Sequence, residues 1–433
     1  MAGEVETGVP TAPLSPWRDR RFRIFAVGNS VNNIGDSVYD VTLPLLAYEL
    51  TGSLTAMAAL AAYIPATLLL GPVLGAVADR WGARLLVVPG LLVQLCSGVV
   101  IVAVALGDST PLWLLFTFGA TLQVGGAAYR VGWMTGVPAM FPDNAVRARG
   151  TLSSLFVSTT IIGPLIVAAL VGPVGYVGLL AVNLVTFLAP IVVWYLGIQP
   201  PRPDSVPAAG RLRLGRDIAE GWRVIRAERR LWAAVLVGLP LEFVFSVGTT
   251  SLFVFYMRDL FQVRADSVAL ILMVANLGAL AGSLSVSERK RLRVLGTLVV
   301  ITIGAVACLV TMSIMVLWVV VAGFVFFYIL DGMTGVTYSV IPVRYLPTEK
   351  YGRALGFIRL VLGVPAFLAP MIIAMIGELL APSFAFLLIA GVGLVSVILL
   401  WRLRSAWAME RVAAGWVADV HEPGYRPPAG GEE

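Results

Sequence analysis

Uncharged apolar runs follow one another along almost the whole chain. Each is about 20 residues long, the length an α-helix needs to cross roughly 30 Å of hydrocarbon. They predict helical spans over roughly 22–50, 54–78, 85–106, 111–138, 151–171, 176–198, 231–257, 267–286, 294–311, 317–341, 354–376 and 383–403. The runs lack the period-two alternation of barrel strands, so an all-α polytopic membrane protein of about twelve transmembrane helices is expected. One long interruption, 199–230, opens on Pro200, Pro201 and Pro203 and turns into a charged stretch from Arg211 to Arg230. It divides the chain into an N-terminal tail (1–21), a six-helix bundle (22–198), a central loop (199–230), a second six-helix bundle (231–403) and a C-terminal tail (404–433). Ile218, Trp222 and Ile225 recur at helical spacing among arginines and predict an amphipathic helix on the membrane surface. Trp407, Val412 and Trp416 predict a shorter interfacial helix in the tail.

The two bundles repeat one another. Arg147, Gly150 and Pro164 recur as Arg353, Gly356 and Pro370 at a constant offset of 206 residues, which Gly90 and Gly296 also keep. Gly71 and Gly75 recur as Gly278 and Gly282, 207 residues on. Six spans repeated in the same orientation imply two pseudo-symmetric bundles related by an axis along the membrane normal, with a substrate site between them near the midplane. That is a transporter architecture.

Composition agrees with this picture: the 433 residues are 58% hydrophobic and 13% charged, with a mean hydropathy of +0.89. A net charge of +6 would suggest nucleic acid in a soluble chain, but these basic residues flank membrane spans, so they are topology determinants and no nucleic-acid partner is expected. Of 31 lysines and arginines, only Arg258 and Arg264 fall on one side, Arg130 and Arg359 lie inside apolar spans, and the rest share the other side. Basic residues are retained in the cytoplasm, so both termini are expected there, in a multi-pass protein. Arginine outnumbers lysine 29 to 2, as in a high-GC bacterial source, which makes the bacterial inner membrane the expected location. Cys96 and Cys308 lie in separate spans and read as packing residues rather than a disulfide. The first apolar run is long enough to span, so no cleaved signal peptide is expected. The one histidine, His421, is in the tail, and there is no phosphate-cradling Gly-Lys loop or metal-ligand cluster. An enzyme, a metal site, a cofactor and an ATP-driven pump are all disfavoured.

Ionisable groups inside hydrocarbon are costly and mark pathways by default. In the first span Asn29, Asn32 or Asn33, Asp36 and Asp40 share one helical face, a stripe that should line water. In the seventh, Glu242, Ser246 and Thr249 form a similar face, with Glu242 206 residues after Asp36. The tenth span carries Tyr328, Asp331 and Tyr338; the fourth carries Gln123, Tyr129 and Arg130. Tyr39, Tyr63, Trp133, Phe243, Phe245 and Phe327 add aromatic surface that serves either a bulky substrate or ordinary packing. Glu49 and Glu378 fall near the outer surface and read as solvated.

Between the second and third spans the segment Gly75-x-x-x-Asp79-Arg80-x-Gly82-x-Arg84 resembles the signature of the major facilitator superfamily, departing from it at Ala83. The wider pattern resembles the twelve-helix drug:proton antiporter branch, notably macrolide-efflux and enterobactin-exporter-like proteins. It rests on Asn33 to Asp36, Leu50 to Ser53, Pro65 to Arg84, and Gly163-Pro164. Two antiporter features are reduced here: the fourth-span motif keeps Gln123, Gly125 and Gly126 without its arginine, and the fifth-span motif keeps only Gly163 and Pro164, which read as a bend or close-packing point.

The resemblance implies a fold whose first, fourth, seventh and tenth spans line a central cavity, where Asp36, Asp40, Glu242, Asp331, Arg130, Asn33, Gln123 and Tyr328 would converge. A carboxylate in such a cavity is a candidate proton carrier; the alternative is that these groups lock helices together. The resemblance also implies a cytoplasmic gate in which Asp79 and its arginines latch onto the turns around Arg353 and Gly356. The expectation is secondary active export of a hydrophobic or amphiphilic small molecule, driven by protons. The partners are then that molecule, protons and the bilayer, and one chain completes the pathway as a monomer. Uptake by symport or uniport, and a non-transporting sensor or scaffold, are the competing readings.

Overall fold

The computed structural model describes residues 15–107, 110–142, 145–201, 214–287, 294–345 and 348–407. The first bundle comprises α1 (Arg20–Thr51), α2 (Leu54–Ala61), α3 (Tyr63–Trp81), α4 (Arg84–Ala105), α5 (Leu112–Met140), α6 (Ala145–Thr186) and α7 (Leu188–Tyr195). A connecting helix, α8 (Leu214–Ala227), follows. The second bundle comprises α9 (Arg229–Val244), α10 (Val247–Asp259), α11 (Ala265–Ser287), α12 (Val294–Met312), α13 (Leu317–Tyr345), α14 (Thr348–Leu379) and α15 (Pro382–Leu403).

Ten stretches among the described residues are long and apolar enough to cross a membrane. One of them, Arg147–Tyr195, has 49 residues; at 1.5 Å per residue it is roughly 70 Å long, twice what one crossing needs. It is broken at Gly175, whose φ of 67° only glycine adopts cheaply, so it makes the fifth and sixth crossings. The first crossing, α1, is absent from the ten, and it is the helix that carries Asp36 and Asp40. With α1 and with Arg147–Tyr195 counted as two, the described helices account for twelve crossings.

Helix ends follow local chemistry. Asp19 caps α1 by accepting from Arg21 N–H at 2.7 Å, and Gly52, at φ 66°, closes the same helix by donating to Tyr48 carbonyl. Ser53 caps α2 by accepting from Ala56 N–H. The seventh crossing, a single span by hydropathy, breaks at Phe245 and Ser246 into α9 and α10. The Thr249 hydroxyl donates to the Val244 carbonyl at 2.7 Å and repairs one of the freed backbone groups.

Each bundle has its own apolar core. In the first, α4 and α5 approach until a side chain on Gly90 would lie 2.7 Å from the Gly125 carbonyl, a small-residue contact of the kind membrane helices use. Gly163 touches Ser37 of α1 with its neighbour Pro164 kept inside α6, so this pair is a close-packing point. In the second bundle Gly248 plays that part against Pro370.

The amphipathic segment is helical, as its spacing predicts, but it is docked on protein. Ile225 is fully buried, and Trp222 packs edge-on against Trp232 of α9 and Phe357 of α14. The interfacial helix expected around Val412 and Trp416 lies outside the described residues.

Candidate functional site

The polar face of α1 forms a network inside the first bundle. Asn32, with no exposed surface, donates to Asp36 at 3.1 Å. Gln94 of α4 donates to the other oxygen of the same carboxylate at 3.3 Å. One turn along, Gln123 of α5 donates to Asp40 at 2.6 Å. Asn32 is thus the amide that serves Asp36; Asn33 is buried on α1 without a described polar contact.

Arg130 departs from its expected role. It is within electrostatic range of Asp36 and Asp40 but forms no ion pair with either, and its guanidinium lies 4.8 Å above the Phe156 ring. Both carboxylates are therefore held by neutral amide donors. The region also keeps unused hydrogen-bonding capacity: Asn32 Oδ1, Gln94 Oε1 and the Tyr39 hydroxyl are buried without a protein partner, and buried polar groups ordinarily have one.

The second bundle holds the matching acids. Glu242 of α9 and Asp331 of α13 lie within electrostatic range of each other, half-buried, and neither has a described ion-pair partner. Tyr328 shares a 2.9 Å hydrogen bond with Thr250, and the Tyr338 hydroxyl donates to the Ala234 carbonyl at 3.0 Å. No described hydrogen bond or ion pair joins these groups to Asp36 or Asp40. The sequence-predicted residues form two clusters, one per bundle, in which Asp36 and Glu242 occupy positions related by the internal repeat. Of the aromatics, Tyr129, Trp133 and Phe327 are core residues at 3%, 2% and 2% exposure, whereas Tyr63, Phe243, Phe245 and Tyr328 keep partial exposure.

The two ends of the molecule differ. At the end away from the arginine-rich loops the bundles are bolted together, and Glu49 and Glu378, read above as solvated, make the bolts. Glu49 pairs with Arg258 of α10 and accepts from the Tyr176 hydroxyl. Glu378 accepts from Ser53 Oγ at 2.9 Å and from Thr55 N–H and Oγ1 at 2.8 Å each. Tyr48 packs edge-on against Phe255, and Leu45, Leu54, Met57 and Ala58 of the first bundle join the core of the second.

Toward the basic end α3 still meets α14 and the connecting helix α8, but several glycines there face open space. A side chain on Gly71, Gly75 or Gly356 would meet nothing within 4 Å, although the repeat partners Gly278 and Gly282 pack tightly against α13. Gly82, at φ 87°, terminates α3. Arg84 bonds Gln199 and lies over the Trp194 ring, so its described contacts stay inside the first bundle and do not reach the facing one. Arg80 lies over its neighbour Trp81. The side chains of Asp79 and Arg353 lie outside the described residues.

Three comparisons give this geometry a context. Macrolide efflux protein A of Streptococcus pyogenes is 24% identical over 233 residues, 53% of this chain and 56% of that protein, so the chain spans about half the length of this relative. The nucleoside transporter NupG superposes with a TM-score of 0.68 at 12% identity, covering 90% of this chain and 100% of its own. A bacterial homologue of the iron transporter ferroportin, in an inward-facing state, superposes at 0.64 with 16% identity, covering 90% and 99%. At such identities the structures share a fold and nothing finer. The Major Facilitator Superfamily model matches residues 25–370. This chain, a multi-pass membrane transporter and not an enzyme, belongs to the Major Facilitator Superfamily.

Proposed function

We propose that the protein is a proton-coupled exporter of a hydrophobic or amphiphilic small molecule, working by alternating access between its bundles, 22–198 and 231–403. The observation that carries this reading is the pair of repeat-related carboxylates, Asp36 and Glu242, each inside a membrane bundle and neither ion-paired among the described residues. Ionisable groups placed so, without a direct ion-pair partner, are the groups a transporter uses to carry protons. Asp40 and Asp331 extend each site. The four carboxylates Asp36, Asp40, Glu242 and Asp331 outnumber the nearby Arg130 and favour a cationic amphiphile, and the half-exposed aromatic rings offer it cation–π contact. The partial similarity to a macrolide efflux protein supports export.

The arginine-rich end is assigned to the cytoplasm on the positive-inside rule, with both termini there and the protein in the bacterial cell membrane. The bolted end then faces outward, and the open space around Gly75 and Gly356 favours an inward-facing state. Asp79 with Arg353 would close the cytoplasmic end in the opposite state, as Gly75 and Gly356 approach. One chain contains both bundles, so the working unit is a monomer.

Uptake of a polar solute is the second reading. The amides Asn32, Gln94 and Gln123 and the unpartnered oxygens among them favour it, because they offer hydrogen bonds that a purely apolar substrate leaves unused. Inverted membrane vesicles separate the two. An imposed proton gradient, acid inside, drives accumulation of tetraphenylphosphonium if the chain exports; failure of accumulation, with gradient-driven uptake of a nucleoside in right-side-out vesicles, would favour the second reading.

A further inference from the structure

At the basic end of the molecule a groove of about 710 Å³ runs between the first crossing, α1, and the end of the sixth, α7. Its mouth carries Arg20 and Arg23, and its walls are apolar, including Val27 on α1 and Leu188 and Val192 on α7. These wall residues are 60%, 54% and 55% exposed, so on a transmembrane bundle they face lipid. Gly28 makes the floor: a side chain there would overlap Val193, so its absence lets α1 close on α7.

Charge and depth identify the occupant. Among the described residues the side chains of Arg20 and Arg23 have no ion-pair or hydrogen-bond partner, and both residues are exposed. Trp17, 42% exposed beside them, sits where an interfacial tryptophan marks the headgroup level. From Arg20 to Val31, the groove's deepest lining residue on α1, the helix rises roughly 16 Å, about half the hydrocarbon thickness. A fixed double positive charge at headgroup depth, above an apolar channel one leaflet deep, matches a phospholipid with an anionic headgroup. A zwitterionic headgroup would bring its own cation against the two arginines.

We infer that the α1–α7 groove is a binding site for one anionic phospholipid of the leaflet on the arginine-rich side, its phosphate held by Arg20 and Arg23 and an acyl chain lying along Val27, Leu188 and Val192. The site is independent of what the protein transports. Because α1 also carries Asp36 and Asp40, a lipid wedged there contacts the helix at the centre of the transport site.

Native mass spectrometry of the full chain, titrated with phosphatidylglycerol or with phosphatidylcholine of the same acyl chains, tests this. The wild type is expected to retain one phosphatidylglycerol with about thirtyfold preference, the scale of two arginines near a headgroup. Arg20→Gln with Arg23→Gln should abolish the preference. Leu188→Trp, which fills the groove and leaves both arginines, should lower phosphatidylglycerol occupancy. Arg402→Gln with Arg404→Gln, at the last crossing of the other bundle, should change neither. The inference is overturned if the α1 double variant keeps the wild-type preference, if Leu188→Trp has no effect, or if the Arg402/Arg404 variant loses as much. Competition by chainless glycerol 3-phosphate would equally overturn it, showing a free-phosphate site.

Discussion

Glu378, at the end of α14, accepts hydrogen bonds from both the backbone N–H and the hydroxyl of Thr55, each at 2.8 Å, although the residues are 323 positions apart. Thr55 lies in the first turn of α2, so the carboxylate also sits at the positive end of that helix. One side chain of the second bundle thereby holds a helix terminus of the first. Every such contact must break when this end opens.

Glu378→Gln keeps the shape and removes the charge, so the bolted end should open more often. A spin label pair across that end, one on α2 and one on α14, should show the open distance gaining population by about threefold to tenfold, the range expected when charge-assisted bonds at an exposed site are weakened. An unchanged distance distribution would mean that apolar packing alone closes this end.

Glu49 and Arg258 form the other bolt, and both are partly exposed. Their coupling should be small. A double-mutant cycle of Glu49→Gln and Arg258→Gln, read by thermal unfolding in nanodiscs, should give about 0.5–1 kcal/mol, falling as salt is added. A coupling near zero at low salt would remove this pair from the account.

Glycine substitutions should separate packing from motion. Gly248→Ala forces a methyl to within 2.5 Å of Pro370 backbone, and should cost about 1–3 kcal/mol of stability with a lower Tm. Gly75→Ala and Gly356→Ala meet open space; they should leave stability within about 1 kcal/mol, or raise it through helix propensity. They should still slow transport several-fold, because the basic end must close over these positions. Transport at the wild-type rate in both variants would mean that the two helices never approach there.

Much of this was legible in the sequence. Uncharged runs located the crossings because backbone in lipid must satisfy itself, and the 206-residue offset exposed the two bundles directly. The polar face of α1 was readable from helical spacing. What escaped depended on contacts distant in the chain. Gln94 did leave a signal, an amide in the middle of an apolar helix, but only the packing of α4 on α1 shows that it serves Asp36. Glu49 and Glu378 are exposed, as acids at helix ends usually are; what the sequence could not show is that each also bonds the facing bundle. The break at Ser246 has no proline at the position, and the docking of α8 on α14 hides behind an arginine-rich segment whose composition suits a membrane surface equally well.

The central claim is that Asp36 and Glu242 carry the coupling protons. Proteoliposomes loaded with a pH-sensitive dye, reconstituted with wild type, Asp36→Asn or Glu242→Gln and challenged with tetraphenylphosphonium, test it most directly. The account predicts substrate-evoked proton movement in the wild type that is lost in either variant, with folding retained. Substrate movement without proton flux in the wild type, or proton flux that persists in both variants, would contradict it and return these carboxylates to substrate binding or helix locking.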